Sequence, residues 1–401
     1  MTVFTVFNHG TCASRDDQGE IVAEFGRLAA GREYRDFLIC DGPGSSPTSS
    51  VTPGQFNPFT RDKQPKSALG NKELGNTHIN WTLTGMATGA GWDDNVIHAI
   101  ATIAELDRLP HVINMLGWSR GAVTCTKLAY KLNEFFPQVG VNIFAVDPVA
   151  GIGHKSDIDT SMIPPNVRNY CAVLSMHETR GFFKPQDAQR VKFMSPATNA
   201  IFIPFPGNHG GQVNLDKNVK RNLGEAAQMT WFLAWKFLQQ FGTRFTTAPS
   251  PCYDGLEQCN LYARMKIKMP EYRETSPGAG EALLMGGAST RDFLAKNIDR
   301  YVEHAKFFIN EHHRRIFQRT LPYLYSWVFE GRETDRIAVM QDFKKTEFYS
   351  ALNRTLLDIG FQPAKSVASS ATIPPGGVGR QPIQIDRSQI RADMSRMGFY
   401  A

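Results

Sequence analysis

The residue types best placed to do chemistry are one serine, one histidine and two acids. Each follows a short apolar run. Ser119 stands in Gly117-Trp118-Ser119-Arg120-Gly121, after Val112-Ile113-Asn114-Met115-Leu116 and before the helical pattern that begins Ala122-Val123-Thr124-Cys125. Strand, Gly-x-Ser-x-Gly, helix is the context of a nucleophile elbow, whose sharp turn lifts the serine hydroxyl above a sheet edge. The two glycines permit such a turn without Cβ clashes. The helix N-terminus behind it offers N–H groups and partial positive charge to a developing anion. The same five residues also fit a plain strand-to-helix turn in which the serine only caps the helix. The decision rests on partners.

A serine nucleophile needs a base, and the base needs an orienting carboxylate. Three later runs end in suitable groups. Asp147 closes Val141-Asn142-Ile143-Phe144-Ala145-Val146, Glu178 lies just past the run 169–174, and His209 lies just past the run 200–205. The order serine, acid, histidine is that of α/β hydrolases. The glycines of Gly207-Asn208-His209-Gly210-Gly211 let the loop fold back with its imidazole aimed at Ser119. Asp147 is the preferred acid, because strand-then-Asp-Pro one strand after the nucleophile is similar to animal lipases. Glu178 is the alternative, in the place many other α/β hydrolases use. Its competing uses are a pair with Arg180 or a brace for the acid loop. An oxyanion needs two N–H donors at about 2.7–3.1 Å. Arg120 supplies one by position. The loop His9-Gly10-Thr11 supplies the other, with Thr11 preferred and Gly10 allowing the close approach. Other histidines read more plainly: His304, His312 and His313 lie among charged helical neighbours, and His177 stands beside Glu178.

Positioning these groups requires alternating strands and helices. Thr2 to Phe7, Tyr34 to Cys40 and the runs above read as strands. Ile21 to Ala30, a segment from about Trp92 to Leu106, and about Leu223 to Phe241 read as helices. Such alternation implies a largely parallel sheet covered on both faces, with reactive groups at the carboxyl ends of the strands. The stretch 45–76, rich in Ser, Pro, Gly, Asn and Thr, reads as a long loop. Further helical patterns run from Asp299 to about Phe317, Leu321 to Phe329 and Asp335 to Leu357. The Pro-, Gly- and Ser-rich stretch 363–382 is a linker. The expected division is 1–248 as a hydrolase core, 249–362 as a helical cap or auxiliary region, and 363–401 as a flexible linker and tail.

The 401 residues are 42% hydrophobic and 20% charged, as in soluble globular proteins. No apolar run approaches the roughly 20 residues that span a bilayer. The first residues lack the basic start and apolar core of a signal peptide, so the chain is expected to fold in a cytosol and to leave, if at all, by a non-Sec route. Six cysteines, mostly in strand or helix patterns, suit reduced buried thiols. A net charge of +6 suits an anionic membrane surface and gives no argument for nucleic acid. No spacing signals a metal site or a cofactor.

Taken in order, several motifs resemble one family. They are Asn8-His9-Gly10-Thr11, Asp41-Gly42-Pro43-Gly44-Ser45, Gly89-Ala90-Gly91-Trp92-Asp93-Asp94-Asn95, Gly117-Trp118-Ser119-Arg120-Gly121-Ala122, and Asp147-Pro148-Val149-Ala150-Gly151. His177-Glu178-Thr179-Arg180-Gly181-Phe182-Phe183-Lys184-Pro185 and Gly207-Asn208-His209-Gly210-Gly211 complete the set. The family is the α/β-hydrolase group of bacterial and fungal proteins that includes phospholipase effectors of type VI secretion, and the match covers roughly residues 1–245. The resemblance implies an α/β-hydrolase fold, with an additional C-terminal helical region in this chain. It implies ester hydrolysis on lipids by a secreted bacterial effector, without cofactor. The partners it implies are a lipid or membrane surface and, beyond that, an immunity protein or the secretion apparatus. The residues alone support serine-dependent acyl transfer, with a soluble ester or acylated glycan as alternative substrate. A binding protein with a dead site on the same fold is the other alternative.

Overall fold

The computed structural model describes residues 2–43, 92–151, 157–187, 190–215 and 223–246. It then describes 261–278 with two short breaks and scattered residues up to 345. The loop read at 45–76, the linker at 363–382 and nearly all of the helical patterns of 299–357 lie outside the described residues.

Six strands form one sheet: β1 (Val3–Asn8), β2 (Phe37–Cys40), β3 (Val112–Trp118), β4 (Gly140–Val146), β5 (Val167–Ser175) and β6 (Asn199–Phe205). All neighbours pair in parallel, in the order β2-β1-β3-β4-β5-β6. Alternate residues of each strand bury toward opposite sides. Phe7, Leu116, Phe144 and Val173 pack under α1 (Ile21–Leu28) and α4 (Glu225–Gln240). Val6, Met115, Ile143 and Ala172 pack under α2 (Trp92–Ala104) and α3 (Arg120–Phe135). A parallel sheet closed on both faces explains why these strands read as continuous apolar runs. The architecture is α/β, of the α/β-hydrolase type. Among the described residues no helix is long and apolar enough to cross a membrane.

The chain moves from β1 to one edge of the sheet, then from β3 to the other. The strand order therefore reverses between β1 and β3, where open parallel sheets place a crevice at their carboxyl ends. Asn8 and Gly117 are register partners there, so the loops after β1 and β3 leave the sheet side by side. The run 34–40 enters the sheet later than its composition suggests. Tyr34 has φ 68°, and its N–H meets the Phe37 carbonyl at 2.7 Å in a turn, so β2 starts at Phe37.

One polar device crosses the apolar sheet. Asn114, Asn142, Asn169 and Asn199 are register partners on four successive strands. Asn142 Nδ2 donates to Asn114 Oδ1 at 2.9 Å, and Asn169 Nδ2 donates to Asn142 Oδ1 at 2.7 Å. Asn199 Nδ2 reaches Asn169 Oδ1 at 3.4 Å. Asn114 Nδ2 closes the inner end on the Phe241 carbonyl and the Thr243 hydroxyl. The ladder lies just beyond a register shift between Val141 and Asn142. A one-residue slip would set amides against apolar side chains, so the ladder restores and fixes the register. We expect Asn142→Ala, which orphans amide groups on both neighbours, to cost about 1–3 kcal/mol. Asn199→Ala at the exposed edge should stay within about 0.5 kcal/mol. Urea denaturation of both variants checks the gradient.

Candidate active site

The turn after β3 is tight because two glycines leave no room for side chains. A Cβ on Gly121 would lie 2.1 Å from the Asn8 carbonyl oxygen and 2.4 Å from that of His9. A Cβ on Gly117 would lie 2.5 Å from the carbonyl of Gly121. α3 thus starts against the end of β1, and the link between strand and helix is forced through Ser119. That residue has φ 56° and ψ −124°, and its side chain makes no capping bond to α3. A serine that only capped the helix would sit in extended backbone and accept an N–H. Left-handed backbone in a residue other than glycine costs free energy and gathers at functional sites. Among the described residues four do this, and Cys12, Ser119 and Asp147 follow adjacent strands β1, β3 and β4.

Asp147 is fully buried, with φ 40°, at the end of β4. Its Oδ1 accepts the Ser175 N–H at 2.9 Å, and its Oδ2 lies 2.6 Å from His209 Nδ1. A carboxylate only accepts, so Nδ1 donates, and in the neutral ring Nε2 keeps the lone pair. His209 is 4% exposed and is held between two rings, Trp118 at 5.3 Å and Phe183 at 4.9 Å between centroids. Its ring therefore stands against the residue that precedes Ser119. Among the described residues Nε2 has no hydrogen-bond partner.

Glu178 does not touch the imidazole. Its carboxylate forms a two-pronged pair with Arg180, Oε1 with Nε at 2.9 Å and Oε2 with Nη2 at 2.8 Å. It also accepts the main-chain N–H of His209 at 3.2 Å. Arg180 in turn lies 3.8 Å over the Phe183 ring. Glu178 thus braces the histidine loop, while farther along the same segment the Gln186 N–H donates to the Pro148 carbonyl at 2.7 Å and steadies the acid loop. Burial pushes the Glu178 carboxyl up, but the bonds and charge of Arg180, with His209 adding, hold it below its ordinary value. The aromatic clamp of Trp118 and Phe183 went unread in the sequence. The x of Gly-x-Ser-x-Gly being tryptophan was its one signal.

The outer side of the loop rests on the segment around α5 (Met269–Glu274). Asn208 Nδ2 donates to the Thr275 carbonyl and the Thr179 hydroxyl to that of Pro277, both at 3.1 Å. Tyr272 donates to Glu225 and accepts the Ala226 N–H at the start of α4. His177 joins the inner side: its Nδ1 accepts the Gly207 N–H at 3.0 Å. Burial and then the charge of Arg273 lower its pKa to about 4. On the side of the 9–11 loop, Arg120 opens α3 directly after Ser119. Neither Gly10 nor Thr11 gives its N–H to a backbone carbonyl of the described residues. Gly10 packs face-on against Trp118, where a Cβ would fall 2.5 Å from the ring. Ser119, Asp147, His209 and the 9–11 loop all lie at the carboxyl ends of β1, β3, β4 and β6.

No family model matches the chain, and no curated protein matches it. Among solved structures it is similar to an uncharacterized protein from Pseudomonas aeruginosa, with 13% identity and a TM-score of 0.41. That match covers 89% of this chain but only 63% of the other, so this chain spans less than two thirds of its length. It is also similar to the Tle1 effector solved bound to the VgrG spike of the type VI secretion system. There the identity is 12% and the TM-score 0.26, with 87% of this chain and 84% of that chain covered. At these values the likenesses add nothing to the geometry of the site.

The histidine loop carries its own acid sensitivity. His177 accepts a hydrogen bond only when neutral, and its pKa is about 4 in the fold against an ordinary 6.5. The unfolded chain binds that proton first as pH falls, so stability present above about pH 6.5 is lost toward pH 4. His98, wholly buried and pushed down to about 3, acts in the same sense. We expect urea midpoints to fall over this window. His177→Gln, which keeps an acceptor but cannot titrate, should make the decline shallower.

Proposed function

We propose that this protein is a serine hydrolase that cleaves carboxylic esters through an acyl-enzyme. The observation that carries the reading is the buried pair of Asp147 and His209, 2.6 Å apart, beside a serine held in left-handed backbone without a capping bond. Ser119 Oγ attacks the ester carbonyl while His209 Nε2 takes its proton. Asp147 fixes the tautomer and offsets the charge of the imidazolium. The tetrahedral oxyanion is met by the N–H groups of Arg120 and Thr11. Collapse expels the alcohol, protonated by His209, and the same histidine then activates the water that releases the acid.

We assign a lipid ester, specifically a phospholipid, as the substrate. That choice rests on the ordered motifs from Asn8 to Gly211 and their resemblance to the phospholipase-containing family. The same resemblance supports the wider role of a bacterial effector exported without a Sec leader, acting at a membrane surface. Its partners would be the secretion apparatus and an immunity protein.

Labelling by a fluorophosphonate, run beside hydrolysis of phosphatidylglycerol vesicles and of a soluble p-nitrophenyl ester, tests both levels. We expect Ser119→Ala to abolish labelling, and Asp147→Asn to lower turnover about 10^4-fold by analogy with other triads. Glu178→Gln should keep turnover far better and lose stability instead, since it takes the charge out of the two-pronged pair with Arg180. Cleavage of the soluble ester without vesicles would retain the hydrolase and remove the lipid. A folded wild type that neither labels nor cleaves any ester would falsify the reading entirely.

A further inference from the structure

We propose that Arg120 is a positioning residue that couples the two halves of the oxyanion site. Its main chain provides one donor, and its guanidinium holds the loop that provides the other. The inference rests on the serine-hydrolase reading above and adds to it a side-chain role that the reading does not require.

The observations are geometric. Arg120 Nη1 donates to the Thr11 hydroxyl at 3.3 Å. Its guanidinium is confined on a second side by Gly151, where a Cβ would come within 2.6 Å of Nη2. On a third side lies Trp92 at the head of α2, with the guanidinium carbon 6.0 Å from the ring centre. The indole N–H of Trp92 returns a bond to the Arg120 carbonyl at 3.1 Å. One side chain therefore touches the loop after β1, the loop after the acid strand β4, and the start of α2. It is 5% exposed. Burying a guanidinium is costly, and burial depresses its pKa. Such a charge is better explained by a positional task than by solubility.

The task follows from what it holds. Thr11 lies between Gly10 and Cys12, whose φ is 62°. The loop is tied by the Cys12 N–H to the Pro43 carbonyl and by the Ala13 N–H to the Gly10 carbonyl, both at 3.0 Å. The second bond holds the Gly10 carbonyl, and with it the peptide plane that carries the Thr11 N–H; the bond from Arg120 holds Thr11 from its side-chain end. Among the described residues the bond from Arg120 is the tether on the Thr11 side chain. An oxyanion donor works over a few tenths of an ångström, so a loop that drifts costs rate without weakening the bound ester.

The test uses the full chain and four variants: Arg120→Met, Thr11→Val, Thr11→Ser and the double variant Arg120→Met with Thr11→Val. The readouts are kcat and KM on a p-nitrophenyl ester and the rate of fluorophosphonate labelling. We expect Arg120→Met and Thr11→Val each to lower kcat and labelling about 10- to 100-fold, with KM within about threefold. The double variant should be no slower than the slower single, because both remove one bond. Thr11→Ser, which keeps the acceptor, should return to within about threefold of wild type. Single losses that multiply in the double variant, or a Thr11→Val enzyme as fast as wild type, would overturn the proposal while leaving the hydrolase intact. If Arg120→Met does not fold, the contrast of Thr11→Val with Thr11→Ser decides alone, since Thr11 is only half-buried. A wild type without any Ser119 labelling removes the hydrolase reading, and this proposal with it.

Discussion

A methyl group on Gly121 would collide with the carbonyl oxygens of Asn8 and His9, and from this crowding the upper surface of the sheet takes its shape. α3 begins where β1 ends, closer than any side chain allows. The chain can pass from β3 into α3 only by turning abruptly, and Ser119 absorbs the turn in backbone that serine disfavours. The same approach sets the loop after β1 against the first turn of α3. Ser119 and the loop after β1 thus become neighbours through packing alone, before any side-chain contact is added. Gly10 acts in the same way, since its lack of a side chain seats Trp118, and Trp118 seats His209.

Asp147 and His209 are held differently. Asp147 is buried to the last atom, and a bare carboxylate there would be prohibitive. Its two oxygens are met by the Ser175 N–H and by the imidazole, so the charge is satisfied by groups that fix its direction. His209 sits on a loop, which has no ladder of its own to hold it. Rigidity is borrowed from Glu178, Arg180 and Phe183 on one side and from Asn208 and Thr275 on the other. Two acids with similar positions in the chain therefore take unlike parts: one faces the imidazole, the other the main chain that carries it.

The strands, the tight turn through Ser119 and the placing of Asp147 and His209 just past strand ends were legible because each depends on local chemistry: apolar runs, glycine pairs and the residue that ends a strand. What was illegible depended on register or on three-dimensional neighbours. Asn114, Asn142, Asn169 and Asn199 look in sequence like blemishes in apolar runs. They become one ladder only when four strands are aligned, across a shift that no spacing betrays. Glu178 had two readings as a brace, for the acid loop or as a partner of Arg180. Its bond to the His209 N–H adds a third. Tyr34 shares the composition of a strand and yet turns, since its φ is set by contact with Phe37 rather than by its own preference.

The residues after α5 hold the histidine loop and the segment that braces it through main-chain oxygens, that of Thr275 for Asn208 and that of Pro277 for Thr179. A main-chain carbonyl is present whatever the side chain, so the identity of either residue can drift while the wall against the loop stands. The coupling is therefore anonymous in the alphabet of amino acids. What it demands of a sequence is a chain of the right length and curvature, and Tyr272 on Glu225 is the pin that sets where that chain begins.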